Sequence, residues 1–412
     1  MTQIKKVPLL RFKGFEEEWK SYKLHELGET FTGLSGKAKD DFGHGIGKFV
    51  TYMNVFSNPV TSENQLGIIE IDISQNEVRK GDVFFTTSSE TPEEVGMSSV
   101  WLGNLDNVYL NSFCFGYRPK ELFDSYYLAY LLRSNCFRDK IKILAQGISR
   151  YNISKNKVME ITIPVIGMSE QNQIGNYFKT LDVLIDLQEQ KHTKLKQLKK
   201  AMLDKMFPKA GAKVPEIRFK GFTEEWEEKK LGEIASTFHG GGTPNTSNKE
   251  YWDGNIPWIQ SSDLCEEQVL HLSFKKFINR KGIDSSAAKI VSKDSIAVVT
   301  RVGVGKLVLI NQDYATSQDF LSLSNLKIDK IFAVFSIYKL LQSELHLLQG
   351  TSIKGITKND LLDKKMLITG DLFEQQKIGA YFEELDKSIE VNQQQIEKYK
   401  HIKQALLSKM FV

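Results

Sequence analysis

The chain has 412 residues, of which 41% are hydrophobic and 26% charged, and a net charge of +4. That balance belongs to folded domains rather than disordered segments, the length allows two or three of them, and the small net charge confines any nucleic-acid-binding face to local patches. No run reaches the ~18 apolar residues of a membrane span and the N-terminal apolar run is too short for a signal peptide, so a cytoplasmic location and no membrane partner are expected; Cys114, Cys136 and Cys265 are scattered and exclude a disulfide framework and a thiolate metal site.

The first distinctive element is RFKGFEEEW at 11–19, which returns as RFKGFTEEW at 218–226. Neither copy has base-reading character. Phe12, Phe15 and Trp19, with Phe219, Phe222 and Trp226, are read as aromatic anchors at the opening of each half; a role in docking partner subunits is the alternative. From residue 20 to 166 come short β-prone runs such as VFFTT at 83–87, separated by Gly, Asn, Asp and Ser. Within this stretch GHGIGKF at 43–49 approaches a phosphate-binding loop, but its spacing is wrong and Phe49 stands where a magnesium-binding hydroxyl is required. Its glycines are read as turns.

A Gly/Ser turn, QGISRYNISKNKV at 146–158, leads to the first long helix, 170–207. Ile174, Phe178, Leu181, Ile185, Leu195, Met202 and Met206 fall on heptad spacing, and Pro208 ends the run. The second half repeats the plan: IAVVT at 296–300 and KLVLIN at 306–311, a turn QGTSIKGITKNDL at 349–361, then a helix at 374–411. Its seam is Ile378, Phe382, Leu385, Ile389, Ile396, Tyr399, Leu406 and Met410. Each helix would be roughly 55 Å long at the usual rise per residue. A rod with so narrow an apolar stripe needs a partner, and an antiparallel pairing of the two copies supplies one. Gln188 and Asn392 occupy the same aligned place midway along; chance polarity and a device fixing coiled-coil register are both open.

Catalytic machinery is thin. Proline never follows proline, so the Asn/Asp-Pro-Pro-aromatic tetrapeptide of amino-methyltransferases is absent, and the seven histidines lack metal-ligand spacing. Glu227 and Lys229 form a Glu-x-Lys without an accompanying aspartate and read as a solvated face. The loops instead combine small polar, aromatic and basic side chains suited to nucleic acid. Candidate nucleic-acid contacts in the first half are Lys48, Thr51, Tyr52, Asn54, Ser88, Ser89, Ser149, Arg150, Tyr151 and Asn152. In the second they are Thr243, Asn245, Ser247, Lys249, Tyr251, Trp252, Arg301, Ser317, Gln318, Thr351, Ser352 and Lys354. Arg150 and Arg301 suit guanine, whose two acceptors a guanidinium spans; Asn152 and Gln318 suit adenine.

In its order of variable segment, repeated helix, variable segment, repeated helix, the whole chain resembles the specificity subunits of type I restriction-modification systems. The local wording that carries the likeness is GGGTPNTSNKEYWDGNIPWIQSSDL at 240–264, QGTSIKGITKNDL, and the twin helix openings EQNQIGNYFKTLDVLI and EQQKIGAYFEELDKSI. The first half departs from it, with FTGLSGKAKDD where Gly-Gly-Thr-Pro would stand. The resemblance implies an α+β fold: two mixed α/β target-recognition domains, 1–166 and 211–369, in pseudo-twofold tandem repeat, joined by two long antiparallel coiled-coil helices at 167–210 and 370–412. It implies a non-catalytic DNA-binding subunit that holds no cofactor or metal. Each domain would read one half of a bipartite duplex target. Its partners would be double-stranded DNA, two modification subunits that methylate adenine at N6 with S-adenosylmethionine, and two restriction subunits using ATP and magnesium. A rival from another class is a coiled-coil scaffold whose globular ends bind proteins or glycans.

Overall fold

The computed structural model describes residues 7–120, 122–347 and 355–412, with side chains of 345–347 outside that description. The chain forms two compact units, one of residues 1–188 with 395–412 and the other of residues 189–394. This division differs from the linear one drawn from the sequence, because each long helix is shared out between the units. The first helix runs Met168–Lys205 and the second Leu372–Lys409, 38 residues each.

In the first unit the strands are β1 (Lys20–Lys23), β2 (Gly28–Thr32), β3 (Phe42–Val50), β4 (Leu66–Ile69), β5 (Val83–Thr86), β6 (Ser88–Ser89), β7 (Ser98–Val100), β8 (Val108–Leu110), β9 (Cys114–Pro119), β10 (Tyr151–Asn152) and β11 (Thr162–Val165). They build sheets of order β2-β9-β5-β7, β4-β3-β8, β1-β11 and β10-β6. The second unit has β12 (Glu227–Lys230), β13 (Ala235–Gly240), β14 (Ile256–Ile259), β15 (Lys276–Ile278), β16 (Ser295–Val299), β17 (Leu307–Ile310), β18 (Ala315–Thr316), β19 (Phe320–Leu326) and β20 (Lys365–Ile368), in orders β13-β19-β16-β17, β15-β14-β18 and β12-β20. Three of these sheets recur in the same order in both units, with β3 and β8 parallel in one and β14 and β18 parallel in the other, while β10-β6 has no counterpart among the described residues. The stretches 33–56 and 240–264, which share no wording, fill equivalent places: β3 corresponds to β14.

The central strands β5 and β16 are buried at every position, which is why VFFT and SIAVV read as continuous apolar runs rather than alternating ones. Helix Ser125–Leu131 and helix Lys330–Leu347 press against these sheets, and Phe332, Ala333, Val334, Phe335 and Ile337 are all fully buried. A helix apolar on every side belongs inside.

Each core is completed by pieces of both long helices. In the first unit Ile174, Phe178 and Leu181 meet Leu407, Met410 and Phe411 around Trp19, Phe85 and Tyr127. Phe178 stacks on Phe411, while Lys403 pairs with Asp182 and lies over the Tyr130 ring, so the two helical segments run antiparallel. The second unit repeats the arrangement with Ile378 and Phe382 against Leu203, Met206 and Phe207, and with Lys199 paired to Asp386 over the Phe335 ring. Burial raises the Asp386 carboxyl, and Lys199 opposes that rise. The buried seam uses Leu203 and Leu407 rather than Met202 and Leu406, which are half-buried. A 3.6-residue helix drifts from a strict heptad over this length.

The repeated nonapeptide places an arginine, not only its aromatics. Arg11 Nε and Nη2 donate to Glu170 at 2.6 and 2.8 Å; Arg218 does the same to Glu374 at 2.6 and 2.9 Å. Both carboxylates lie in the first turn of a long helix and are 2% and 0% exposed, so each requires its fork of donors. The ion pairs raise both guanidinium pKa values further above their ordinary range. The next residue works on the neighbouring helix: Gln171 accepts from Asp124 N and donates to Leu122 and Ile166 carbonyls, and Gln375 accepts from Asp329 N and donates to Thr369 O. Gly175 lets those helix ends touch, since a Cβ there would stand 2.4 Å from Asp124 Oδ1. Trp19 and Trp226 sit in the two cores, and Phe12 and Phe219 pack edge-on to Tyr177 and Tyr381, which supports the anchor reading.

Substituting Arg218→Ala is expected to cost about 3–5 kcal/mol, because Glu374 stays buried without its partner, and Arg218→Lys to recover only part of that. Urea unfolding of the full chain measures both; equal stability for all three chains would remove the ion pair from its structural role.

Candidate nucleic-acid interface

In the first unit a loop tip is closed by the backbone pair Gln146–Asn152, with N–O distances of 2.9 and 2.8 Å. Gly147 takes φ +141°, and a Cβ there would lie 2.0 Å from Arg150 O, so the turn admits only glycine. Its β10 arm pairs antiparallel with β6, Tyr151 opposite Ser89 and Asn152 opposite Ser88, and Ile153 N donates to Thr87 O at 3.0 Å. Tyr52 Oη donates to Ser88 O at 2.6 Å, and burial raises its phenol pKa, which keeps it a donor. The fold therefore gathers Tyr52, Ser88, Ser89, Ser149, Arg150, Tyr151 and Asn152. Lys48 is exposed on β3, in the other sheet.

Not all of these side chains face outward. Ser149, Arg150 and Asn152 are exposed, and Tyr52 and Tyr151 half-buried. Asn54 is 0% exposed: its amide donates to Ser62 O at 2.7 Å and its carbonyl accepts from Ser62 N at 2.9 Å. Thr51 caps helix Tyr52–Ser57 by accepting from Asn54 N. Ser88 and Ser89 are buried, and Ser89 Oγ donates to Thr91 O. Asn54, Ser88 and Ser89 thus hold the loops and present no side chain to a ligand, contrary to the sequence expectation.

Two arginines absent from that expectation lie beneath the loops. Arg133 donates to the carbonyls of Val55, Phe56, Asn58 and Ser98 at 2.7–3.0 Å, closing the C-terminal end of helix Tyr52–Ser57. Arg138 donates to Glu93, Val95 and Gly96 carbonyls at 2.6–2.8 Å. Burial lowers them to about 9 and about 10, so both stay charged at neutral pH. Their sequence signal is two arginines directly after the apolar run YYLAYLL, in RSNCFR at 133–138.

The second unit assembles its rim from five loops. Gly242 N donates to Thr316 O, Ser317 N to Ile259 O, Thr300 N to Asp319 O and Ile356 N to Thr300 O, all at 2.7–2.9 Å. Thr243 Oγ1 donates to Gln318 Oε1 at 2.7 Å, which brings two predicted residues together. Arg301 is exposed on the β16–β17 hairpin. Ser317 is 3% exposed and turned inward to Asp319, so it too is a loop-holding residue and not a contact. Asn245 accepts from Ser247 N and, through its carbonyl, from Trp252 Nε1. Trp252 meets the buried Trp258 edge-on at 5.0 Å with Lys276 over both rings, while Lys249 is exposed and Tyr251 half-buried beside them. Thr351, Ser352 and Lys354 lie outside the described residues.

Among the described residues no cluster of three or more His, Cys, Asp or Glu could hold a metal, and no helix is long and apolar enough to cross a membrane. Burial pushes the Cys114 thiol up to about 12, far from a nucleophile's range. The tips QGISRYN (146–152) and TRVGVGK (300–306) carry Arg150, Arg301 and Lys306 and no carboxylate.

A family model described as the type I restriction modification DNA specificity domain matches residues 16–197 and again 223–401. A protein of Methanocaldococcus jannaschii named as a type I restriction enzyme specificity subunit is 24% identical over 414 aligned residues, covering 95% of this chain and 92% of its own length. The fold is similar to the crystal structure of the type I restriction-modification S subunit from M. genitalium, with TM-score 0.62, 16% identity, and 98% and 99% of the two chains covered. It is also similar to the HsdS subunit from Thermoanaerobacter tengcongensis, with TM-score 0.50, 21% identity, and 95% and 96% covered.

Two substitutions separate holding from reading. Asn54→Ala is expected to cost about 1–3 kcal/mol in urea unfolding with unchanged base preference. Arg150→Ala is expected to leave unfolding unchanged and to weaken discrimination at one base pair by about 1–3 kcal/mol, measured by competition binding with substituted duplexes.

Proposed function

The chain belongs to the type I restriction modification DNA specificity family, and from that premise we propose that its two units each read one half of a bipartite duplex target. It is the specificity subunit of such a system, with two tandem recognition domains and no catalysis of its own. One observation carries the reading of two half-sites: three sheet orders repeat between the units while the rim side chains do not. A repeated scaffold keeps the same backbone approach to DNA, and changed side chains alter the base edges that are read.

The subunit directs partners that act on DNA. Two modification subunits would supply adenine N6 methylation with S-adenosylmethionine, and two restriction subunits would supply ATP- and magnesium-dependent translocation and cleavage, in the cytoplasm where the target lies. The long helices would set the number of base pairs between half-sites. Asn392, 2% exposed, and its aligned counterpart Gln188, half-buried, would fix the register of that spacing. The exposed Ser149, Arg150, Asn152, Thr243, Gln318 and Arg301, with Lys48 and Lys249 toward phosphates, form the contact set this reading requires.

Methylome sequencing of a host with and without the gene should yield one bipartite motif that vanishes with the gene. Inserting four residues at aligned points of both helices should lengthen the spacer and leave both half-sites unaltered. A constant spacer would overturn the role given to the helices. Absence of a gene-dependent motif, together with DNA binding that does not weaken with salt, would favour the protein-binding scaffold instead.

A further inference from the structure

Most exposed aliphatic side chains on a protein surface need no explanation. Two here differ in setting. Ile148 is 96% exposed and Val302 74% exposed, and each stands at a loop tip beside an exposed arginine, Arg150 or Arg301. The tips are built differently. Ile148 lies within the loop closed by the Gln146–Asn152 pair, whereas Val302 lies in the β16–β17 turn closed by Val299 N donating to Lys306 O at 2.9 Å. The loops that carry them belong to corresponding bridged pairs, because Ile153 N bonds Thr87 O in the first unit as Ile356 N bonds Thr300 O in the second. The arginine and aliphatic pair rides on the later of the two bridged loops in the first unit and on the earlier one in the second. Left-handed glycines, Gly147 at φ +141° and Gly303 at +87°, shape both tips. Two unlike loops carrying the same exposed pairing of arginine and aliphatic side chain point to a ligand that offers hydrogen-bond acceptors beside an apolar group.

We propose that Ile148 and Val302 are specificity residues, each packing on the C5 methyl group of a thymine in its half-site. This rests on the reading that these tips face the major groove. There the thymine methyl is the one apolar feature of the base edges, and the adjacent guanidinium suits guanine acceptors at a neighbouring pair. Burying a methyl against a branched side chain is nondirectional, so it discriminates thymine without the geometry a hydrogen bond demands.

Uracil in place of thymine removes that methyl and nothing else. The full chain, assembled with its modification subunits, is titrated with target duplexes carrying uracil at each half-site thymine in turn. One position in each half-site is expected to bind about fourfold more weakly with uracil, the value of one buried methyl group. Ile148→Ala should erase the difference in the first half-site only, and Val302→Ala in the second only. Retention of thymine preference by both variants would overturn the inference, as would a half-site lacking an A·T pair or indifferent to uracil throughout. An equal loss of affinity for thymine and uracil duplexes in Ile148→Ala would instead identify a wedge between base steps. The controls Arg150→Ala and Arg301→Ala separate the layers: lost half-site discrimination without any uracil effect removes the methyl contact and keeps the loops on DNA. If neither arginine nor aliphatic variants change either half-site, the placement of the loops on DNA falls as well.

Discussion

The bidentate ion pair between the nonapeptide arginine and the first-turn glutamate of each long helix is the constraint on which the rest is arranged. Glu170 and Glu374 are withdrawn from water, so the chain entering each domain must deliver Arg11 or Arg218 to them. With the arginine fixed, the following aromatics reach the helix and Trp19 or Trp226 enters the core. The neighbouring Gln171 and Gln375 then tie the same turn to the helix that backs the central sheet. Sheet, backing helix and long helix are thereby locked at one corner, and the sheet's opposite loops are free to vary.

That separation explains how one framework carries two specificities. Among the buried members of the loops, Asn54 and Ser89 spend their polar atoms on backbone and Ser317 donates to Asp319, while Arg133 and Arg138 gather seven carbonyls under the first rim. A loop pinned from below can exchange its outward side chains at little cost in stability, since surface substitutions away from such pins are nearly neutral.

The sequence carried the long helices and the repeat because both signals are local or self-referential: apolar spacing of three and four, and identical words. Paired strands were harder, since β3 and β14 hold equivalent places without sharing residues, and equivalence of nonlocal pairing leaves no string to match. Arg11 and Arg218 escaped notice because a charged residue inside a charged nonapeptide reads as solvated. Small polar residues misled for a related reason. A serine or asparagine in a loop satisfies a backbone group as readily as a base, and only burial separates the two. The heptad reading missed one position near each helix end, where Leu203 and Leu407 are buried and Met202 and Leu406 only half-buried, while Met206 and Met410 lie in the cores as expected.

The assignment of Leu407, Met410 and Phe411 to the core of the first unit bears on how the protein is made. Synthesis runs from the N-terminus, and domains ordinarily close as they emerge. Here the domain translated first lacks its final apolar layer until residues 407–411 have been made, while the second, built from 189–394, needs nothing beyond residue 394. The residues that begin the first domain are therefore made before those of the second, and the residues that complete it are made after.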